Sequence, residues 1–421
     1  MRRRSFRSSL NAPPTSGRAT HGDEVRFVAA GALMLAVAMG VGRFAYTPIL
    51  PIMERDAGLS VAGAGFLASA NLFGYLVGAS LAMHPLTHRR RLGIMRWSIA
   101  GVVVTTALMA STAPLWLPLR FLTGVCSGFV LVFASSIMLE RAAHRRKTSW
   151  LPLFFSGVGA GIAFSGLAVP VLVGYGGSRA AWLGMAAVSA VALLIAGRWF
   201  VDDAAPASVA EAESDSRLPR QRASFAWLVT VYTAEAFAYI IPATFLVAIV
   251  TRIPALSAYA WLSWVFVGLA GILTAFPWIG AAARLGKPRA LGAALGIQAI
   301  GIAAPVFWRN VPAVIFSAVA LGGTFMAITL FATALGRDLF PRATNAALSR
   351  LTAFYGVGQI VGPLVATQLA VRFNSYDAAV LAAAIVAGIA AAVTFVMVHE
   401  PQELEQTAPR DGRRRARSSA P

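Results

Sequence analysis

Charged residues and cysteines are scarce in this chain, and each shortage excludes a class of protein. Only 13% of the 421 residues are charged and 57% are hydrophobic, whereas a soluble domain carries about 25% charged residues. The single cysteine, Cys126, can form neither an intrachain disulfide nor a cysteine-based metal site. The five histidines lie at or beyond the ends of apolar segments, without metal-ligand spacing. The sequence therefore predicts no cofactor and no metal centre.

Long apolar runs are what the chain has instead. A segment of about 20 residues crosses the ~30 Å apolar core of a bilayer as a helix, and the short alternating segments of a membrane β-barrel are missing. The predicted spans cover residues 27–50, 61–83, 93–113, 115–138, 151–173, 180–200, 225–250, 258–282, 290–307, 312–335, 346–370 and 377–398. We therefore predict an all-α membrane protein with twelve transmembrane helices.

The basic residues orient these spans. Of the 36 lysines and arginines, 29 lie in the tails and alternate loops of one side, 5 lie in the opposite loops, and Arg43 and Arg120 lie inside spans. Because cytoplasmic loops carry the excess of basic residues, both termini are expected in the cytoplasm. The net charge of +19 then reflects topology and not binding to nucleic acid. The basic tails are either solvated or in contact with anionic lipid headgroups.

A polar segment divides the chain into two halves. Residues 202–224 are rich in Ala and Ser, and we interpret them as a cytoplasmic linker. The predicted domains are an N-terminal six-helix bundle at 27–201 and a C-terminal six-helix bundle at 225–399, with basic cytoplasmic tails at 1–26 and 400–421.

A weak internal repeat relates the two halves. FAYTPIL at 44–50 corresponds to FAYIIPATFL at 237–246, and FSGVG at 155–159 corresponds to FYGVG at 354–358. The two offsets are similar, so the bundles are expected to be pseudo-symmetric. Six-span halves related by an axis along the membrane normal are a transporter architecture.

The chain resembles the major facilitator superfamily (MFS) of transporters over residues 27–398. Within it, GVGRFAYTPILPIM at 40–53 and AYIIPATFL at 238–246 resemble the bacterial YbfB/YjiJ subfamily. The resemblance implies a monomeric transporter, not an enzyme, in the bacterial cytoplasmic (inner) membrane. The loop after the second span lacks the acid of the superfamily motif, and Ala283 replaces the expected acid in the loop after the eighth span.

Three charged residues lie inside spans and away from their ends: Arg43, Arg120 and Glu235. A charge at the bilayer centre costs about 2.5–3.5 kcal/mol on insertion scales, so it normally faces a partner or a wet cavity. We predict that all three face one central cavity. The alternatives are a static Glu–Arg pair, an Arg43 that donates to helix carbonyls, and an Arg120 that extends to the membrane surface.

Substrate binding and proton coupling are the roles predicted for this cavity. Arg120 lies in RFLTGVCSG, which resembles the superfamily's fourth-span motif, and that resemblance implies proton coupling. Two arginines against one glutamate favour an anionic substrate. The candidate residues are Arg43, Tyr46, Asn71, Arg120, Glu235, Tyr239 and Gln359, with Tyr75, Tyr232 and Trp264 as possible neighbours.

Glycines and prolines in the same spans are candidate hinges or packing points, because small residues permit close helix approach and proline removes helix hydrogen bonds. They are Pro48, Gly157, Gly159, Pro242, Gly358, Gly362 and Pro363. If they are not hinges, they are simple packing notches.

The predicted function is secondary active transport of a small organic solute by alternating access, coupled to protons. Symport of an anionic metabolite and proton-driven export of a drug or metabolite remain alternatives. A transporter-like sensor that moves nothing is the alternative from another class.

Overall fold

The described part of the protein is helical. The computed structural model describes residues 21–147, 149–200, 219–341 and 343–406, and no strand occurs among them. Helix α1 has three consecutive pieces, His21–Leu35, Ala36–Phe44 and Tyr46–Ala57. The other long helices are α2 Val61–Ala82, α3 Arg91–Leu108, α4 Ala113–His144, α5 Trp150–Val173, α6 Gly177–Ala196, α7 Pro219–Thr251, α8 Ala260–Leu273 with Ala275–Leu285, α9 Lys287–Phe307, α10 Val311–Leu339, α11 Thr344–Phe373 and α12 Asp377–Gln406.

Eleven helices of the described ranges are long and apolar enough to cross a membrane. A twelfth span requires the two parts of α8, which meet at an angle of 55°, to count as one. Pro277 contributes to this break, because it has no N–H to donate to the carbonyl of Leu273. The prediction of an all-α membrane protein is confirmed, and the number of twelve depends on the bent helix α8.

Several helices extend beyond the predicted spans. Helix α1 begins at His21, α12 continues to Gln406, and residues 219–224 of the predicted linker belong to α7. The rest of that linker and the predicted tails at 1–20 and 407–421 lie outside the described residues. Hydropathy underestimates the lengths of the helices, because a helix end that leaves the apolar layer of the membrane can consist of polar residues.

Helices α1–α6 and α7–α12 form two similar bundles. In the first, Arg91 at the start of α3 donates to both carboxylate oxygens of Glu140 near the end of α4, at 2.7 Å each. In the second, Lys287 at the start of α9 pairs with Asp338 at the end of α10 at 2.5 Å. These two ion pairs join equivalent helices, as the internal repeat predicts.

The bundles pack against each other through the helix pairs α1–α7, α2–α11 and α5–α8. Gly159 of α5 lies so close to α8 that an added Cβ would come within 2.6 Å of the Ile272 nitrogen and 2.7 Å of the Gly268 oxygen. The Ser69 hydroxyl of α2 donates to the Ile360 carbonyl of α11 at 2.8 Å. Small residues thus bring the backbones of the two bundles together.

One end of the molecule carries the loops at 58–60, 174–176 and 374–376, and we call it the distal end. It lies opposite the end where α1 begins and α12 finishes. The bundles are closed at the distal end. Residues 37–50 of α1 and 238–250 of α7 are buried on every face there. Nearer the terminal end both helices have exposed residues. A helix that is buried all round is part of a core, so α1 and α7 form the centre of the distal half.

We predict that Gly159→Ala destabilises the interface between the bundles. The new methyl group would meet the backbone of α8, which cannot rotate away, and overpacking of this kind costs about 1–3 kcal/mol. Thermal unfolding of the detergent-purified protein measures the effect. Gly296→Ala is the matched control, since a Cβ added there meets nothing within 4 Å. Equal melting temperatures for the two variants would contradict the prediction.

Candidate functional site

Arg43 lies at the end of a π-helical stretch of α1, Ala36–Phe44, and is 6% exposed. Its guanidinium group lies 5.0 Å from the ring centroids of Phe44 and Tyr75. Its Nη2 atom donates to the Tyr239 hydroxyl at 3.0 Å, a bond that joins the two bundles. Arg43 is thus held between aromatic rings and reaches across the interface.

Arg120 of α4 holds the backbone of α1. Its Nη1 donates to the Gly42 carbonyl at 3.0 Å and its Nη2 to the Arg43 carbonyl at 3.4 Å. Pro48 has no N–H and cannot give the Arg43 carbonyl the hydrogen bond from five residues ahead that a π-helix would form. Arg120 is 2% exposed, so the alternative that it extends to the membrane surface is wrong. Arg120, not Arg43, is the donor to helix carbonyls.

Asn71 and Tyr46 keep Arg120 in place. The Asn71 amide donates to the Arg120 carbonyl at 3.0 Å. The Tyr46 ring lies 4.7 Å from the Arg120 guanidinium carbon, and the Tyr46 hydroxyl donates to the Ala64 carbonyl at 3.0 Å. Helices α1, α2 and α4 therefore fix both arginines from three sides.

A cavity of about 20 Å³ lies beside the two arginines, where α1, α2, α4 and α7 meet. Both bundles contribute to its wall, which consists of Arg43, Phe44, Tyr46, Thr47, Ala68, Asn71, Leu72, Arg120, Ile240, Ala243 and Thr244. This volume holds roughly one water molecule. The arrangement described here is therefore closed around the arginines and has no room for a solute.

Several polar atoms at this cavity lack a partner. The Nε atoms of Arg43 and Arg120 and the Oδ1 atom of Asn71 are buried and form no hydrogen bond with any residue that the structure describes. Neither arginine forms an ion pair within the described ranges. Since no acidic residue contributes to the cavity wall, the site carries uncompensated positive charge and free donors.

Glu235 does not line this cavity. It is fully buried in the C-terminal bundle, where the Gln298 amide of α9 donates to it at 3.4 Å. No basic side chain of the described part of the chain forms an ion pair with it. Of the three intramembrane charges, Arg43 and Arg120 lie in the wall of this cavity and Glu235 does not, because its carboxyl group is bonded within its own bundle.

Tyr239 lies between the arginine cavity and Glu235. Its hydroxyl accepts hydrogen bonds from Arg43 and from the Gln359 amide of α11. Its ring stacks on Tyr355 at 6.0 Å, and Tyr355 stacks on Tyr232 at 4.2 Å. The predicted shared face of Tyr232, Glu235 and Tyr239 thus packs against α11.

Sequence reasoning missed Tyr355, Gln298 and Thr47. Of these three, Gln298 could have been identified from the sequence, because it is a lone polar residue in an otherwise apolar ninth span. Thr47, whose hydroxyl donates to the Ala243 carbonyl at 2.6 Å, follows Tyr46 in the opening motif. Tyr355 lies one turn before the candidate Gln359.

The candidate hinge glycines occupy close helix contacts. An added Cβ at Gly157 would lie 2.0 Å from the Ala32 oxygen, and one at Gly358 would lie 2.4 Å from the Thr233 oxygen. Gly362 likewise packs against α7. These glycines therefore act as packing notches within a bundle, and of this set Gly159 lies between the bundles.

The candidate prolines lie beside contacts between the bundles. Pro48 and Pro242 flank the bond from Thr47 to Ala243. The Pro363 carbonyl lies 2.8 Å from the position that a Cβ on Gly65 would take. A hinge role for these residues stays a prediction. Trp264 donates to the Ser165 hydroxyl of the other bundle at 3.2 Å.

The helical arrangement is shared with a solved membrane transporter. It matches the crystal structure of the nucleoside transporter NupG with a TM-score of 0.69 and 14% identity, over 90% of this chain and 99% of NupG. A point mutant of NupG gives the same TM-score at 13% identity, over 88% of this chain and 99% of the other. At such low identity the likeness establishes the fold alone.

Within the superfamily, the chain belongs to the family described as uncharacterised MFS-type transporter YbfB, whose model matches residues 35–395. The uncharacterized MFS-type transporter YceJ of Bacillus subtilis (strain 168) is 30% identical over 142 residues, which is 32% of this chain. The match spans only 33% of YceJ. The protein is therefore a multi-pass membrane transporter and not an enzyme, as the resemblance of the opening motif predicts.

Replacement of Arg120 by lysine should destabilise α1. A lysine ammonium lacks the planar fork that reaches both carbonyls, and a buried carbonyl left without a donor costs about 1–3 kcal/mol. We expect a lower melting temperature for Arg120→Lys in detergent. Arg179→Lys, at an exposed position of α6, is the control. An unchanged melting temperature for Arg120→Lys would show that Arg120 does not stabilise α1.

Proposed function

We propose that the protein moves a small organic anion across the cytoplasmic membrane by alternating access, in symport with protons. In this proposal both termini lie in the cytoplasm, as the excess of basic residues in the tails and alternate loops favours. The distal end is then the outer end. The observation that carries the proposal is the pair of buried arginines without an acidic partner.

A carboxylate is the kind of ligand that this site fits. Leaving a buried charge unpaired is costly, and carboxylate–arginine hydrogen bonds are among the strong ones. An anion that enters between the bundles would take the unpartnered donors of Arg43 and Arg120. It would also accept from Tyr46 or Asn71 after a small rearrangement, so these side chains are proposed substrate contacts.

The closed distal half supports the proposal of alternating access. A cavity for one water molecule cannot hold a metabolite, so a solute enters only when the bundles separate. Separation of α1 from α7 would break the bonds from Arg43 to Tyr239 and from Thr47 to Ala243. Both bonds are thus proposed elements of the gate that closes on one side of the substrate.

Glu235 is the proposed proton-binding group. It is the buried carboxyl group of α7, and an ionised carboxylate without a counter-ion is costly in an apolar interior. Binding a proton removes this cost. Because Glu235 lies outside the arginine cavity, the proton and the anion have separate sites, as a symporter requires.

We predict that small carboxylates stabilise the protein through Arg43. A thermal-shift panel would compare mono- and dicarboxylates with their uncharged amides, and with a nucleoside, the solute class of NupG. A carboxylate should bind Arg43→Gln at least about tenfold more weakly, because a hydrogen bond to a charged group contributes about 1.5–3 kcal/mol. The exposed Arg372 of α11 gives the control variant, Arg372→Gln. Equal stabilisation by acids and amides would refute the anionic class.

Glu235→Gln should uncouple transport from protons. The substitution keeps the side-chain volume and the bond from Gln298 but cannot titrate. In proteoliposomes, uptake of the stabilising carboxylate driven by a pH gradient should fall at least about tenfold, while exchange of labelled for unlabelled solute persists. Glu54→Gln, at the distal end, should keep the dependence on the pH gradient. Uptake by Glu235→Gln that still follows the gradient would rule out this role.

A further inference from the structure

The carboxyl group of Glu235 and the amide of Gln298 are joined inside the C-terminal bundle. Glu235 belongs to α7 and Gln298 to α9, and both side chains are fully buried. The Gln298 Nε2 atom donates to the Glu235 Oε1 atom at 3.4 Å. The other oxygens of the two groups, Oε2 of Glu235 and Oε1 of Gln298, are buried without a hydrogen-bond partner among the described residues. One bond thus joins two groups that each retain an unsatisfied oxygen.

Both unsatisfied oxygens are acceptors when Glu235 is ionised. A carboxylate oxygen and an amide oxygen can only accept, so neither can satisfy the other. A buried acceptor left without a donor costs free energy, and such atoms are rare in folded proteins. An ionised Glu235 would therefore leave two unsatisfied acceptors on one pair of side chains.

One proton would satisfy both oxygens. A protonated carboxyl group has an O–H to donate, while an amide has an oxygen to accept and an N–H to donate. An acid and an amide can therefore join through two parallel hydrogen bonds, of which the bond at 3.4 Å is the first. The second would run from Oε2–H of Glu235 to Oε1 of Gln298. Exchange of the amide oxygen and nitrogen gives the same pair with the proton on Oε1, so the count holds for either orientation of the amide.

The groups around Glu235 supply no competing charge. Its titratable neighbours are the phenols Tyr232 and Tyr239 of α7 and Tyr355 of α11, which are neutral at pH 7. Helices α1, α8, α9, α10 and α12 also pack against α7, and none of their described residues forms an ion pair with Glu235. Arg43 of α1 bonds to Tyr239 instead. The amide of Gln298 is therefore the group best placed to decide the charge of Glu235.

We propose that Gln298 holds Glu235 in its protonated form through an acid–amide pair, and that it thereby sets the proton affinity of this site. The role of Glu235 in coupling rests on the proposed function, whereas the pairing depends on the two side chains alone. Gln298 acts on the proton through Glu235, which makes it a positioning residue.

The proton balance distinguishes this role from that of a simple donor. One O–H bond forms on Glu235 with a proton from water, and Gln298 neither gains nor loses a proton. Loss of the proton breaks one hydrogen bond and leaves two acceptors unsatisfied, so the pair favours the neutral acid. A side chain that merely donated would favour the carboxylate, because hydrogen bonds to charged oxygens are the stronger ones. The two roles predict opposite shifts when Gln298 is replaced.

Infrared titration of Gln298→Met tests the pair without any substrate. Methionine keeps an unbranched side chain of similar size but offers no amide. The probe is the carboxylic-acid C=O band that disappears in Glu235→Gln. In Gln298→Met this band should move to higher wavenumber, because the acid loses its hydrogen bonds. The pH at which the band is half lost should fall by on the order of one unit, a tenfold loss of proton affinity.

Thr105→Val is the matched control. Thr105 lies on α3, the helix of the first bundle that is equivalent to α9. It is buried, and its hydroxyl accepts from the Thr123 hydroxyl of α4 at 2.8 Å. Loss of this buried bond between side chains should leave the band unmoved. If Gln298→Met does not fold, Gln298→Asn withdraws the amide by one methylene and should shift the band in the same direction.

Exchange of the two residues gives a second test. The double variant Glu235→Gln/Gln298→Glu still contains one acid and one amide, with the acid now on α9. Its acid band should lie at the wild-type wavenumber, because the same two hydrogen bonds can form.

Three outcomes overturn the inference: an unmoved band in Gln298→Met, a rise in its titration midpoint, or a double variant whose acid band is shifted to higher wavenumber. Uptake by Glu235→Gln that still follows the pH gradient would refute the proposed coupling and leave the acid–amide pair intact. The two failures are therefore distinguishable.

Discussion

Two buried guanidinium groups, which have no acidic partner among the described residues, are the constraint on which the centre of this protein depends. Such charges are tolerated only when other groups replace water and a counter-ion. Arg120 donates to the Gly42 and Arg43 carbonyls of α1, and Pro48 has no N–H to offer the second of these. Arg43 finds aromatic rings and the Tyr239 hydroxyl. The carbonyls of α1 and the Tyr239 hydroxyl of α7 thus supply the polar contacts of these charges.

The closed part of the interface between the bundles and the buried Arg43 lie at the same level of the molecule. The fully buried parts of α1 and α7 meet where Arg43 crosses to Tyr239, so movement of one bundle against the other must change the surroundings of the arginine. A transporter needs such a connection, because the state of its binding site must depend on which side is open. Here a single hydrogen bond across the interface can supply it.

The sequence predicts the fold better than the site. Apolar runs located nearly every helix, because the bilayer thickness requires about 20 apolar residues irrespective of neighbours. The bend at Pro277 and the helical residues 219–224 were missed, since neither changes hydropathy enough. At the site, the separation of Glu235 from Arg43 could not be predicted from the depth of the two residues in the membrane, because that depth does not specify the direction in which a side chain points. The roles of Gln298 and Tyr355 likewise depend on which helices are neighbours.

The sequence by itself determined that this is a helical membrane transporter of two related halves, and it located the three intramembrane charges. These properties are encoded locally, in hydropathy, charge bias and short motifs. Only the tertiary structure decided that Arg120 bonds to α1, that Arg43 bonds to Tyr239 of the other bundle, and that Glu235 lies apart with Gln298. The physical reason is that hydrogen-bond partners depend on the rotation and packing of each helix, which residues distant in the chain determine together.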